Sequence, residues 1–100
     1  DIANFYGINK EILINDFRAI EKLIEETEKF KYYEDLSILA IEKYPKTILG
    51  SYFMGLYHER KGDLRKAMHT YRSAYTLEDI EGITKDELLD RADVINQNLN

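Results

Sequence analysis

Apolar residues recur along this chain at intervals of three and four, seldom at two, which predicts helices throughout and no sheet. Leu13, Phe17, Ile20 and Ile24 set the buried stripe of a first helix, expected over roughly Lys10 to Glu28 with Asn9 available as its cap. Glu28, Lys29 and Phe30 form the expected turn. A second helix follows to Tyr44, burying Tyr33, Leu36, Ser37, Ala40 and Ile41, and the chain's single proline, Pro45, stops it. The third runs from a Thr47 cap to about Lys61 and carries Ile48, Leu49, Tyr52, Phe53, Leu56 and Tyr57. It is apolar on most sides and so expects neighbours around it.

Two further signals punctuate the second half. Gly62 suits a left-handed helix end, and Asp63 can cap the next helix. That fourth helix should bury Leu64, Ala67, Met68, Tyr71, Ala74 and Tyr75. After Glu81-Gly82, Thr84-Lys-Asp-Glu87 reads as a capping box, with Ile83 and Leu88 at hydrophobic-staple spacing. Leu88, Ala92, Ile95 and Leu99 complete the stripe of a last helix. The fold class expected is all-α, with about five helices arranged as antiparallel hairpins.

The segment Gly55-Leu-Tyr-His-Glu-Arg-Lys-Gly62-Asp63, followed by Ala67, Tyr71 and Ala74 on one helical face, resembles the tetratricopeptide repeat. That repeat is a helix–turn–helix unit of ~34 residues. With Ile48 as its first position, Gly55, Ala67 and Ala74 fall on the family's three small positions, Met54 on a large apolar one and Tyr71 on an aromatic one. Ser51, His58 and Asp79 depart from the usual tryptophan, tyrosine and proline. A weaker copy runs from Ile14 to Thr47. Phe17, Ile20, Ala40 and Pro45 are in phase there, but Glu21 and Tyr33 replace small residues, so its helices should sit farther apart. The resemblance implies a short right-handed superhelix: an arm or short helix over 1–9, a degenerate repeat over 10–47, a repeat over 48–81 and a capping helix over 82–100. The stretches Lys43-Tyr44-Pro45 and Ile83-Thr84-Lys85-Asp86 are loosely similar to helical modules appended to serine esterases of the α/β-hydrolase type.

Charge and composition narrow the function. One hundred residues make one domain, and 44% hydrophobic with 33% charged is the balance of a globular chain. A net charge of -5 disfavours nucleic acid and anionic membrane surfaces as partners. There is no cysteine, hence no disulfide, thiolate metal site or thiol nucleophile. The chain begins at Asp1 without an initiator methionine, as a piece of a longer protein would. His58 is expected to pack in the core and His69 to lie on the surface, neither at metal-ligand spacing. No nucleophile elbow, phosphate loop or calcium loop is present. No catalytic residue, metal or cofactor is expected. Most of the eight tyrosines match core spacing.

In the family, one arc of each first helix lines a concave groove that holds another polypeptide. Here the resemblance puts Arg18 and Lys22 on that arc in the first repeat, beside Asn15, Ala19, Glu25 and Glu26. Leu49, Tyr52, Phe53, Leu56, Glu59 and Arg60 follow in the second, and Ile83, Asp86, Glu87, Asp90, Asp93 and Val94 in the cap. The expectation is a protein or peptide partner anchored on Tyr52, Phe53 and Leu56, in a groove acidic at its far end. The N-terminal segment filling that groove through Phe5 and Tyr6 is the alternative occupant. A carboxylate clamp is not expected, because Leu49, Phe53 and Glu87 stand where polar or basic groups are needed. The rival role is an accessory domain of a larger enzyme, with this face or the first helix covered by another domain.

Overall fold

The structure, a computed structural model, describes residues 10–99, with side chains from residue 15 onward. The expected arm over 1–9, with Phe5 and Tyr6, and the side chain of Leu13 lie outside the described residues. Five α-helices follow one another: α1 (Lys10–Thr27), α2 (Lys31–Lys43), α3 (Leu49–Lys61), α4 (Leu64–Arg72) and α5 (Lys85–Leu99). A 3₁₀ turn, Ser73–Thr76, extends α4. The fold is all-α. Pairing of extended backbone among the described residues is limited to two isolated bridges, Thr47 with Glu78 and Ile80 with Ile83. They tie the segment entering α3 to the segment leaving α4, with Ile48 N–H donating to Glu78 C=O at 3.0 Å and Glu78 N–H to Lys46 C=O at 2.8 Å.

Helix ends follow the local chemistry closely in the second half. Gly62 sits at φ 84, a left-handed geometry that costs glycine nothing, and closes α3 by donating to Glu59 C=O. Asp63 caps α4, its carboxylate accepting from Lys66 N–H. Thr47 lies one residue further out than expected. Ile48 is the residue flanking α3, while the Thr47 hydroxyl donates to Tyr44 C=O at 2.9 Å and accepts from Leu49 N–H at 3.4 Å. Helix α5 begins directly after Thr84, at the predicted position, with Glu87 N–H donating to the Thr84 backbone C=O at 3.1 Å. Two partners there were not legible in sequence. Asp79 Oδ1 accepts from Lys85 N–H at 2.7 Å, and the Glu87 carboxylate reaches Arg18 on α1.

The core is one cluster drawn from all five helices, with Phe17, Ile24, Tyr33, Leu36, Ile48, Phe53, Tyr71 and Leu88 among its members. Its tightest point is Gly55. A Cβ placed there would come within 2.2 Å of the Tyr71 ring, so α3 and α4 approach across a site where any side chain overpacks. Ala67 and Ala74 are fully buried on the facing helix. Two expected core residues are exposed instead: Ile41 at 54% and Tyr75 at 71%. Tyr75 falls in the 3₁₀ turn, whose tighter winding rotates it off the α4 stripe. Ile41 packs over Gly50, which has no side chain to cover it.

Candidate functional site

The face shared by α1, α3 and α5 gathers the groove residues, but their exposure departs from the expectation. Leu49, Tyr52, Phe53 and Leu56 are all buried. An open apolar anchor is therefore corrected to a closed one, and the reason is α1. Phe17 meets Tyr52 edge-on at 5.7 Å between ring centres and Phe53 at 6.5 Å, while Tyr33 lies against Phe53 at 6.1 Å. Arg18, Lys22 and Arg60 remain exposed around this aromatic floor.

Arg18 is the hub of one polar cluster. One terminal nitrogen donates to the Tyr52 hydroxyl at 2.7 Å. The other donates to Gly82 C=O at 3.1 Å and to both carboxylate oxygens of Glu87, at 2.9 and 3.2 Å. The Tyr52 hydroxyl in turn donates to Glu21. The Arg18 guanidinium lies 5.2 Å from the Tyr52 ring centre and that of Arg91 5.4 Å, both within cation–π reach. Burial works against the charge of Arg18, yet the Glu87 hydrogen bond and the nearby Tyr52, Glu87 and Glu21 together outweigh it and hold the pKa above the usual guanidinium value. Burial and the bond to Glu21 push the Tyr52 hydroxyl well up, so it stays a neutral donor.

A second cluster closes the other end. The Tyr33 hydroxyl donates to Glu25 at 2.6 Å, and Arg60 Nε donates to both Glu25 oxygens, at 3.1 and 3.0 Å. Burial alone would raise the Glu25 pKa. The bonds from Arg60 and Tyr33 reverse that and hold it below the ordinary carboxylate value. Three guanidinium groups (Arg18, Arg60, Arg91) thus face three carboxylates (Glu21, Glu25, Glu87) across buried tyrosines. The sequence placed Arg18, Glu25, Arg60 and Glu87 on this arc. It missed Glu21 and Arg91 and the hydroxyl of Tyr33, whose ring spacing had marked it only as core. An arginine breaking the apolar stripe between Leu88 and Ala92 was the available signal for Arg91.

Lys22 stands apart, 4.0 Å from Glu26 on its own helix. Asp93 pairs with Arg72 at 3.9 Å rather than with this face. A cleft of about 380 Å³ opens beside the Arg18 hub, lined by Asn15, Phe17, Arg18, Glu81 and Gly82. His58 is partly buried with its Nδ1 unpartnered, and burial pulls its pKa down. Among the described residues, no group of three or more His, Asp or Glu side chains could hold a metal, and no helix is long and apolar enough to cross a membrane. What the face carries is a set of charges paired within the chain over buried aromatic rings. Comparison with known proteins adds no identity: no protein-family profile, curated protein or solved structure matches this chain.

Proposed function

We propose that this chain is a non-catalytic interaction module of tetratricopeptide type, which holds a peptide or helix along the face of α1, α3 and α5. The observation that supports it most is the second hairpin. The glycine beneath Tyr71, the left-handed Gly62 and the Asp63 cap are compatible with the repeat's close-packed unit at those positions. The converging charges of Arg18, Glu25, Arg60 and Glu87 lie on the side where such a unit takes its partner. The test is a displayed peptide library panned against the full chain, with binders mapped by backbone chemical shifts. Shifts clustered at residues 18–25, 52–60 and 87–91 are expected; binders that map only to α2 and the 3₁₀ turn would overturn the reading.

A second reading has its own observation. Ile38, Ile41 and Tyr75 are exposed at 56%, 54% and 71%, and Ile41 and Tyr75 are one repeat length apart in the register. An accessory domain in a longer polypeptide, such as an α/β-hydrolase-type esterase, would cover such residues. Ile41→Lys with Tyr75→Lys should then leave the melting of this chain unchanged and lower that of the longer protein.

A further inference from the structure

The contacts that bury Tyr52 also describe a docking site in which α1 is the occupant. Phe17, Ile20 and Ile24, at i, i+3 and i+7, are its buried stripe. Arg18 at i+1 is met by Glu87 and the Gly82 carbonyl, Glu21 at i+4 by the Tyr52 hydroxyl, and Glu25 at i+8 by Arg60 and Tyr33. The receiving face therefore has an aromatic floor, an acceptor-rich end and a basic end, and it fits an amphipathic helix in one direction only.

Three features make α1 the weakest joint of the fold. It meets α2 more loosely than α2 meets α3, α3 meets α4 or α4 meets α5. Its exit turn places Glu28, a residue with a Cβ, at φ 56, and its first turns are broken at Asp16 (φ -123, ψ 23). Its polar contacts also use side chains still open to water: Arg18 is 44% exposed and Glu87 38%. Solvent can replace such contacts at small cost.

We propose that α1 is a displaceable strap. The face beneath it takes an amphipathic partner helix with apolar residues at i, i+3 and i+7, a base at i+1 and acids at i+4 and i+8. This rests on the interaction-module reading but narrows its face to what α2, α3 and α5 present through Tyr33, Tyr52, Arg60 and Glu87, with α1 displaced and no longer a wall of the site. A tethered strap competes at a high effective concentration, so the affinity for the partner is scaled down by the fraction of chains in which α1 is away.

The probe is a fluorescently labelled peptide of residues 10–27, titrated by anisotropy into the full chain. Arg18→Gln should raise its apparent affinity by roughly two- to fivefold, the size of a partly exposed ion pair, by enlarging the open fraction. A peptide carrying Arg18→Glu should bind the same protein more weakly. The chain has no cysteine, so Asn15→Cys with Glu81→Cys, which line one cleft, can be bridged selectively by a bifunctional thiol reagent. In the Arg18→Gln background, bridging should abolish capture relative to the unbridged protein. Circular dichroism and hydrogen exchange at residues 55–71 verify that each variant is folded. Capture indifferent to the bridge overturns the strap while leaving the module reading intact. No capture by any variant, with α1 amides exchanging faster in Arg18→Gln, overturns the module reading and the proposal with it. Dimerisation in place of peptide capture assigns the face to a second copy and overturns the partner helix.

Discussion

Between α3 and α4, position 55 is a glycine and the Tyr71 ring fills the space above it. In the preceding hairpin, between α1 and α2, the positions at the same offset hold Glu21 and Ser37, and Tyr33 stands where the later hairpin has Ala67. The later pair of helices closes with the backbone of one against the Tyr71 ring of the other, its buried contacts apolar and its exposed edge bridged by the Ser51 and Ser73 hydroxyls at 3.2 Å. The earlier pair, held apart by larger side chains, leaves room for a hydroxyl and a carboxylate, which Tyr33 on α2 and Glu25 on α1 supply. Dry contact tolerates no change of volume, because close-packed side chains have nowhere to move. A contact made of long polar side chains gives way gradually, since water substitutes for each partner. Two successive hairpins of one chain thus form a rigid unit and a yielding one, and the yielding one lies next to the charged face.

The hardest test of this contrast is volume. Gly55→Leu drives a side chain into the Tyr71 ring, and Ala67→Leu overfills a fully buried site. Each should cost roughly 1–3 kcal/mol or more by thermal melting. Glu21→Leu, at the position equivalent to Gly55, should cost less, because its site already holds a long side chain. Equal losses at positions 21 and 55 would erase the distinction between the hairpins.

This asymmetry was partly legible beforehand. Glycine and alanine at three fixed positions announce close approach, and Glu21 and Tyr33 announce its loss, because side-chain size alone decides how near two helices come. Gly62 and Asp63 were legible for the same local reason. Exposure at Tyr52 was not, since position on a helical arc says where a side chain points and not whether Phe17 from another helix lies over it. The Arg18–Glu87 bond joins residues 69 apart, a separation on which periodicity is silent. Tyr75 was misplaced because nothing local marked the change from α-helical to 3₁₀ winding after Arg72.

Removing a hydroxyl tests the polar side of the contrast at smaller cost. Tyr33→Phe keeps the ring against Phe53 and takes one donor from Glu25. Hydrogen bonds to charged groups contribute about 1.5–3 kcal/mol. Glu25 is 32% exposed and keeps Arg60, so the loss should be nearer ~1 kcal/mol, with faster exchange confined to residues 17–27. Loosening that spreads to residues 55–71 would show that the two hairpins are not energetically separable.

Acid should open the two regions at different pH. Burial lowers the His58 pKa from its ordinary 6.5, with Lys66 and Lys61 helping and Asp63 and Glu34 opposing. The unfolded chain therefore binds the proton first, and stability falls as pH drops below 6.5 toward the depressed value. Glu25 is also depressed, from 4.5, so its contribution is present above that pH and lost as pH falls through its folded value. Urea melts across pH should show a decline beginning near 6.5 that disappears in His58→Gln. Exchange at residues 21–27 should quicken only below about 4.5, and Glu25→Gln should remove that step. A single acid transition shared by both regions would contradict the separation.

The smallest expected effect is the sharpest on principle. The Tyr71 hydroxyl is buried without a hydrogen-bond partner; Arg91 leans toward it but does not reach bonding geometry. Burial pushes its pKa up, so the group stays neutral and simply unsatisfied. An unsatisfied buried donor costs free energy, and deleting it recovers some of that cost without touching the ring over Gly55. Tyr71→Phe should therefore be neutral or stabilising, by up to ~1 kcal/mol, where Tyr33→Phe destabilises by about as much. The two substitutions remove the same atom from equally buried rings in neighbouring hairpins, so the sign of the difference depends only on what each hydroxyl touches. Thermal melts of both variants at neutral pH settle it. A clear loss at Tyr71→Phe would mean that Arg91 does bond this hydroxyl, and that polar contact extends into the buried seam between α3 and α4.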